Sequence, residues 1–111
     1  MADKYTIEHY LTEAGDDLFA DWFDALRDGN AKARIAIRID RMKLGNFGDH
    51  KFLDDGVWEL RIDYGPGYRV YYCLDGQVVV LLLCGGDKRT QNADIAKAKA
   101  YKADYERSRR S

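Results

Sequence analysis

The chain holds a single proline, Pro66, two cysteines and two histidines. One proline leaves no Pro-rich linker or tail. Two cysteines are too few for a disulfide scaffold. They are expected on neighbouring strands: a tight Asp75-Gly76 turn would set Cys73 opposite Val78, with Cys84 well along the sheet. No disulfide is therefore expected, and both read as reduced core thiols of a cytoplasmic protein. Excess charge is also missing: 18 Lys and Arg stand against 19 Asp and Glu, a formal net charge of −1. That argues against a generic nucleic-acid coat. The longest apolar run, Val78 to Cys84, is too short to cross a bilayer. The opening MADKYTIEHY lacks the apolar segment of a secretory leader. No membrane partner is expected. Repeats and low-complexity segments are absent as well.

What remains is a composition suited to one core. With 111 residues, 46% hydrophobic and 33% charged, a single domain spanning 1–111 is expected. The charge is segregated: acids crowd Asp16 to Asp28, and bases crowd Lys32 to Lys43 and the terminal Arg107, Arg109 and Arg110.

Periodicity supplies the elements. Tyr5, Ile7, His9 and Leu11 alternate as a first strand within 4–11. Gly15 and Asp16 open a helix whose apolar face is Leu18, Phe19, Trp22, Phe23 and Leu26. Gly29 and Asn30 end it and cap a second helix over 31–44, which buries Ile35, Ile39 and Met42. Beside these, Arg34, Arg38 and Arg41 form a basic stripe that reads as a solvated face. Strands follow over 50–53, 57–63, 68–74 and 77–84, then a helix over 92–108 with Ile95, Ala98, Tyr101 and Tyr105 inward. The order βααββββα predicts an α+β fold: a curled antiparallel sheet against an N-terminal helical hairpin and a C-terminal helix.

Strand parity singles out two arginines. If Trp58, Leu60 and Ile62 share a buried face with Val70 and Tyr72, then Arg61 and Arg69 lie opposite or diagonal on the other face. Like charges so placed repel. Either Glu59 and Asp63, on the same face, neutralise them, or the pair holds a phosphate, whose oxygens match a guanidinium fork. A tight Asp75-Gly76 turn would put Val80 and Leu82 on that face as an apolar floor. Lys88 and Arg89 follow Gly85-Gly86-Asp87 and are either an exposed loop or two more cations on the same anion. With Thr90 or Asn92 as N-cap, they would sit near a helix N-terminus, which favours an anion. Of eight tyrosines, only Tyr71 joins the arginine face, as a possible substrate contact.

Three segments, ARIAIRIDRMKLGNFGDHKFL (33–53), GVWELRIDYGPGYRVYY (56–72) and VVVLLLCGGDKRTQNADIAKAK (78–99), resemble the RelE/ParE superfamily of bacterial toxins, and within it the HigB-like addiction-module killer proteins. The resemblance implies a small toxin held inactive by a cognate antitoxin, commonly a helix-turn-helix DNA-binding protein through which alone operator DNA is reached. It implies metal-free cleavage of messenger RNA, often on the ribosome, and no cofactor. Arg69 matches the phosphate-stabilising arginine of the family, and Arg61 and Arg89, with Lys88 beside them, match its other basic positions. The sparse Cys and His fit a metal-free route.

Two departures accompany it. Ribonuclease members carry lysines where this chain has Val57 and Glu59, and a C-terminal tyrosine or histidine where it has Ile95 and alanines. The general base is therefore open between Lys51, His50 and Glu59; the alternative for the first two is that they only flank a strand edge, and for Glu59 that it only pairs with Arg61. Two other activities stay open: inhibition of DNA gyrase by binding, as in ParE, and an antitoxin-binding protein without toxicity.

Overall fold

The structure, a computed structural model, describes residues 3–110; Met1, Ala2, Ser111 and the side chain of Arg110 lie outside the described part. The elements are β1 (Thr6–His9), α1 (Leu18–Ala25), α2 (Gly29–Lys43), β2 (His50–Asp54), β3 (Val57–Ile62), β4 (Tyr68–Asp75), β5 (Val79–Asp87), a 3-10 turn (Lys88–Thr90) and α3 (Gln91–Arg110). The five strands form one sheet in the order β1-β5-β4-β3-β2. No described helix is long and apolar enough to cross a membrane.

The alternation of the strands divides the core in two. Leu60, Ile62, Val70, Tyr72, Val80 and Leu82 face α1 and α2, meeting Phe19, Ile35 and Met42. Val57, Tyr71, Cys73, Leu81, Leu83 and Cys84 face α3 and Ala98. The α+β class and the element order agree with expectation. One pairing differs: β1 runs parallel to β5, so the sheet is mixed. Periodicity within β1 carries no information about the direction of a partner seventy residues away.

The β4–β5 turn corrects a further expectation. Asp75 pairs with Val79, so the loop is Gly76–Val78, with Gly76 at φ +65°, and not a two-residue turn. Cys73 therefore pairs with Leu81 rather than Val78. That slip moves alternate residues across the sheet. Val80 and Leu82 lie against the helical hairpin, not beneath the arginines. An extra residue, Leu83, then shifts the register again, between Tyr72↔Leu82 and Tyr71↔Cys84. Both cysteines are buried and free.

The helix caps are aspartates. Asp17 accepts from Ala20 N–H, and Asp28 from the Asn30 and Ala31 N–H groups, so Gly29 and Asn30 lie inside α2 rather than before it. The C-terminal part of helix α3 is tied to the sheet side: Tyr10 donates to Asp104 at 2.6 Å, and Tyr105 and Arg109 both donate to Asp75.

Candidate functional site

Arg61 and Arg69 are direct cross-strand partners, and Gly86 of β5 completes their row. The next row runs Lys51, Glu59, Tyr71, Cys84. Opposed guanidiniums repel, and the fold answers with a carboxylate between them. Glu59 has no solvent exposure; its Oε1 accepts from Arg61 Nε at 2.9 Å, and its Oε2 accepts from Gln91 Nε2 at 2.8 Å. Arg69 Nε lies 3.9 Å from the same Oε1, too far for a hydrogen bond, and is buried without a partner. Burial pushes the Glu59 carboxyl upward, but the hydrogen bonds from Arg61 and Gln91 outweigh it and hold it below the usual carboxylate range. The hydrogen bond to Glu59 in turn raises the Arg61 pKa.

Outside this pair lies an open cleft of about 290 Å³. Arg61, Arg69 and Lys88 line it with the carboxylates of Asp49 and Asp63, and the loop of Gly65, Pro66 and Gly67 forms its rim. Gly67 is favoured here by its backbone, at φ +82°; a Cβ would find ordinary contacts with Arg69 Nη1 at 3.4 Å and Lys88 Cβ at 3.8 Å. Its carbonyl accepts from the Lys88 N–H at 2.9 Å, joining the rim to the end of β5. Arg69 Nη1 donates to its neighbour's carbonyl, Tyr68 O, at 3.0 Å, which turns the guanidinium along the strand.

The first turn of α3 packs behind the row. Asp94 Oδ2 accepts from Thr90 Oγ1 at 2.5 Å, and a Cβ on Gly86 would fall 1.9 Å from that carboxylate oxygen. The 3-10 turn before α3 has Asp87 as its N-cap, in a reciprocal box with Thr90.

Arg38 was expected on a solvated stripe and is instead a clamp. Its guanidinium donates to the carbonyls of Arg61 at 2.5 Å, Asp49 at 3.0 Å and Phe47 at 3.1 Å. Burial lowers its pKa. Arg34 lies over the Tyr64 ring, 4.6 Å from its centre, and Arg41 is exposed. Three arginines spaced i, i+4, i+7 look alike in a sequence; only the tertiary approach of the 44–49 loop distinguishes the middle one.

The predicted site residues thus separate. Arg61, Arg69 and Lys88 share the cleft, and Lys51 is exposed on the same face one row away. His50 is not with them: pairing with Leu60 turns it to the opposite face, against Phe47 and Trp58. Adjacent strand residues must point apart, a signal already present in the sequence. Arg89 is 80% exposed and bound to Asp87 at 2.8 Å, outside the cleft. Tyr71 is fully buried beside Glu59, its hydroxyl without a hydrogen bond, so it is no surface for a substrate. Burial and the Glu59 charge keep that hydroxyl protonated. Asp49, Gln91 and Arg38 went unrecognised in the sequence. Among the described residues no group of three or more His, Cys, Asp or Glu is arranged to hold a metal.

Residues 21–110 match the family described as phage derived protein Gp49-like (DUF891). The match takes in every residue of the cleft and leaves β1 outside. An "uncharacterized protein" of Haemophilus influenzae is 54% identical over 81 residues, which are 73% of this chain and 82% of that protein.

Proposed function

The chain belongs to the phage-derived Gp49-like family, a RelE-like toxin family associated with toxin–antitoxin modules, and from that premise we propose that it is a toxin that cleaves messenger RNA at the Arg61–Arg69 cleft. A cognate antitoxin, of the helix-turn-helix DNA-binding kind, is its proposed inhibitor, and the ribosome the proposed setting. The observation that carries the reading is the opposed arginine pair, served by only one buried carboxylate, with its free N–H groups at a cleft that Lys88 also lines.

The proposed reaction is in-line attack of a ribose 2′-oxygen on the adjacent phosphorus. The O2′–P bond forms, the P–O5′ bond breaks, and a 2′,3′-cyclic phosphate is left. Arg61 and Arg69 bind the two non-bridging oxygens, where charge grows most in the transition state. Asp49 and Asp63 are the carboxylates placed to accept the 2′-hydroxyl proton; Lys88 and Lys51 are the ammonium groups placed to supply one to the departing O5′. Against Glu59 as the base stand its two engaged oxygens, neither of which reaches solvent.

A second reading, inhibition of DNA gyrase by binding, is favoured by the charge balance. Three cations line the cleft, and Asp49, Asp63 and Glu59 offset them. Mapping transcript ends after brief induction separates the two. New RNA 5′ ends in wild-type cells, lost in the Arg69→Ala strain, are expected. Intact transcripts accompanied by an SOS response would transfer the assignment to gyrase.

A further inference from the structure

On the sheet face opposite the arginines, the helical hairpin leaves a second cleft uncovered, of about 250 Å³. Its lining is aromatic: Tyr5, Phe47, His50, Trp58 and Tyr72, closed by Leu74. His50 and Phe52 stand steeply on the Trp58 ring, at 69° and 63°, with centroids 5.1 and 5.0 Å away. Phe52 is 50% exposed, and His50 is exposed. Tyr72 is buried and its hydroxyl has no partner.

Phe52 lies beside the cleft lining, two residues from His50 on the same strand face. Residues i and i+2 of a strand are about 6.7 Å apart. That leaves room for one planar ring at ordinary contact, about 3.5 Å on each side. No carboxylate lines the cleft. Lys4 lies along Gly45 at one end, and Lys51 projects between His50 and Phe52 onto the other face. Neither lysine makes an ion pair among the described residues. An uncharged planar group flanked by anions fits this setting. A slot of this size is small for the side chains of a docked helix, and stable protein interfaces cover about 800 Å² on each partner.

The two clefts share a wall. Asp49 lines the arginine cleft, while Phe47 and His50 line the aromatic one. Arg38 fastens the carbonyls of Phe47, Asp49 and Arg61 to one another.

We propose that the aromatic cleft is a nucleobase site, which stacks an unpaired base of the same RNA strand whose scissile phosphate lies between Arg61 and Arg69. The strand rounds the sheet edge at Asp49, and the base enters between His50 and Phe52 above Trp58. This rests on the ribonuclease reading and adds to it a base contact away from the bond that is cut.

The test uses an uncleavable probe, a short 2′-O-methyl oligoribonucleotide, titrated into the purified chain with tryptophan fluorescence as one readout. Wild-type protein is expected to bind with quenching of Trp58. Phe52→Ala is expected to weaken binding about tenfold, the loss of one stacked base, and to reduce the quenching, while Phe52→Tyr preserves both. An otherwise identical probe lacking its bases should bind wild type no better than the intact probe binds Phe52→Ala. If Phe52→Ala matches wild type while Arg69→Ala loses affinity, the base site falls and the phosphate site stands. If Phe52→Ala keeps its RNA affinity but no longer binds antitoxin, the cleft is a protein-docking surface and the proposal is overturned. If wild type binds no RNA, both readings fail together.

Discussion

Arg38 donates through its side chain to the main-chain carbonyl of Arg61 at 2.5 Å, so a residue of α2 positions the strand that carries a cleft arginine. The same guanidinium satisfies Phe47 and Asp49. Truncating Arg38→Ala removes the side-chain donor to the Arg61 and Phe47 carbonyls, while the Asp49 carbonyl keeps the Arg61 N–H, and should cost about 2 kcal/mol, the range for hydrogen bonds to a charged donor. Arg38→Lys should recover little of it, because an ammonium lacks the planar fork. Urea denaturation checks both; a midpoint unchanged in Arg38→Ala would mean that the clamp contributes nothing.

Removal of Arg69 is expected to leave the fold intact, since Glu59 keeps its bonds to Arg61 and Gln91. Loss of one donor to the transition-state charge typically costs about 100-fold to 1000-fold in rate. Arg69→Ala should therefore permit growth while still binding antitoxin. Full toxicity of that variant would remove the arginine cleft from the mechanism.

Lys88 and Arg89, neighbours in sequence, should behave differently. Lys88→Ala is expected to lower RNA affinity and flatten its salt dependence. Arg89→Ala should leave RNA binding unchanged, because Arg89 is turned away onto Asp87. Equal losses in the two variants would contradict this placement.

Acid should act through Glu59. Its folded pKa is depressed, so the stability that it contributes is present above the unfolded carboxylate value of about 4.3 and is lost as pH falls through the lower folded value. Melting temperatures should be steady above that value and fall below it. Glu59→Gln, which leaves the opposed guanidiniums without a carboxylate, should melt lower at neutral pH and show a shallower acid limb. A pH profile parallel to wild type would assign the acid sensitivity to other groups.

Gly86→Ala should lower the melting temperature. Its Cβ would fall 1.9 Å from Asp94 Oδ2 and 2.9 Å from Thr90 Oγ1, so the first turn of α3 must shift. Overpacking of this kind costs about 1–3 kcal/mol. An unshifted melting temperature would show that the turn yields freely.

Much of this architecture was legible in the residues. Alternation in 57–63 and 68–74, with an even sum of paired numbers, was enough to put Arg61 and Arg69 on one face, opposite or diagonal, and the structure pairs them directly. The failures arose where a local signal competed with a distant one. Asp75-Gly76 resembles a two-residue turn, yet the loop extends to Val78, whose carbonyl accepts from Thr6 of β1. The direction of β1 and the reach of Arg38 are likewise products of contacts between segments far apart in the chain. His50 is the instructive exception, because its separation from the Lys51 face follows from strand geometry alone.

Gly48 sits against the same clamp: at φ +62°, any side chain there would begin 3.0 Å from Arg38 Nη2. Positions 38 and 48 are thus a lock with a single key, and it governs a wall that both clefts use. The consequence is shared sensitivity. Neither position lines a cleft, yet a substitution at either is expected to disturb the 47–49 segment and the Arg61 carbonyl together, and so to be felt on both faces of the sheet.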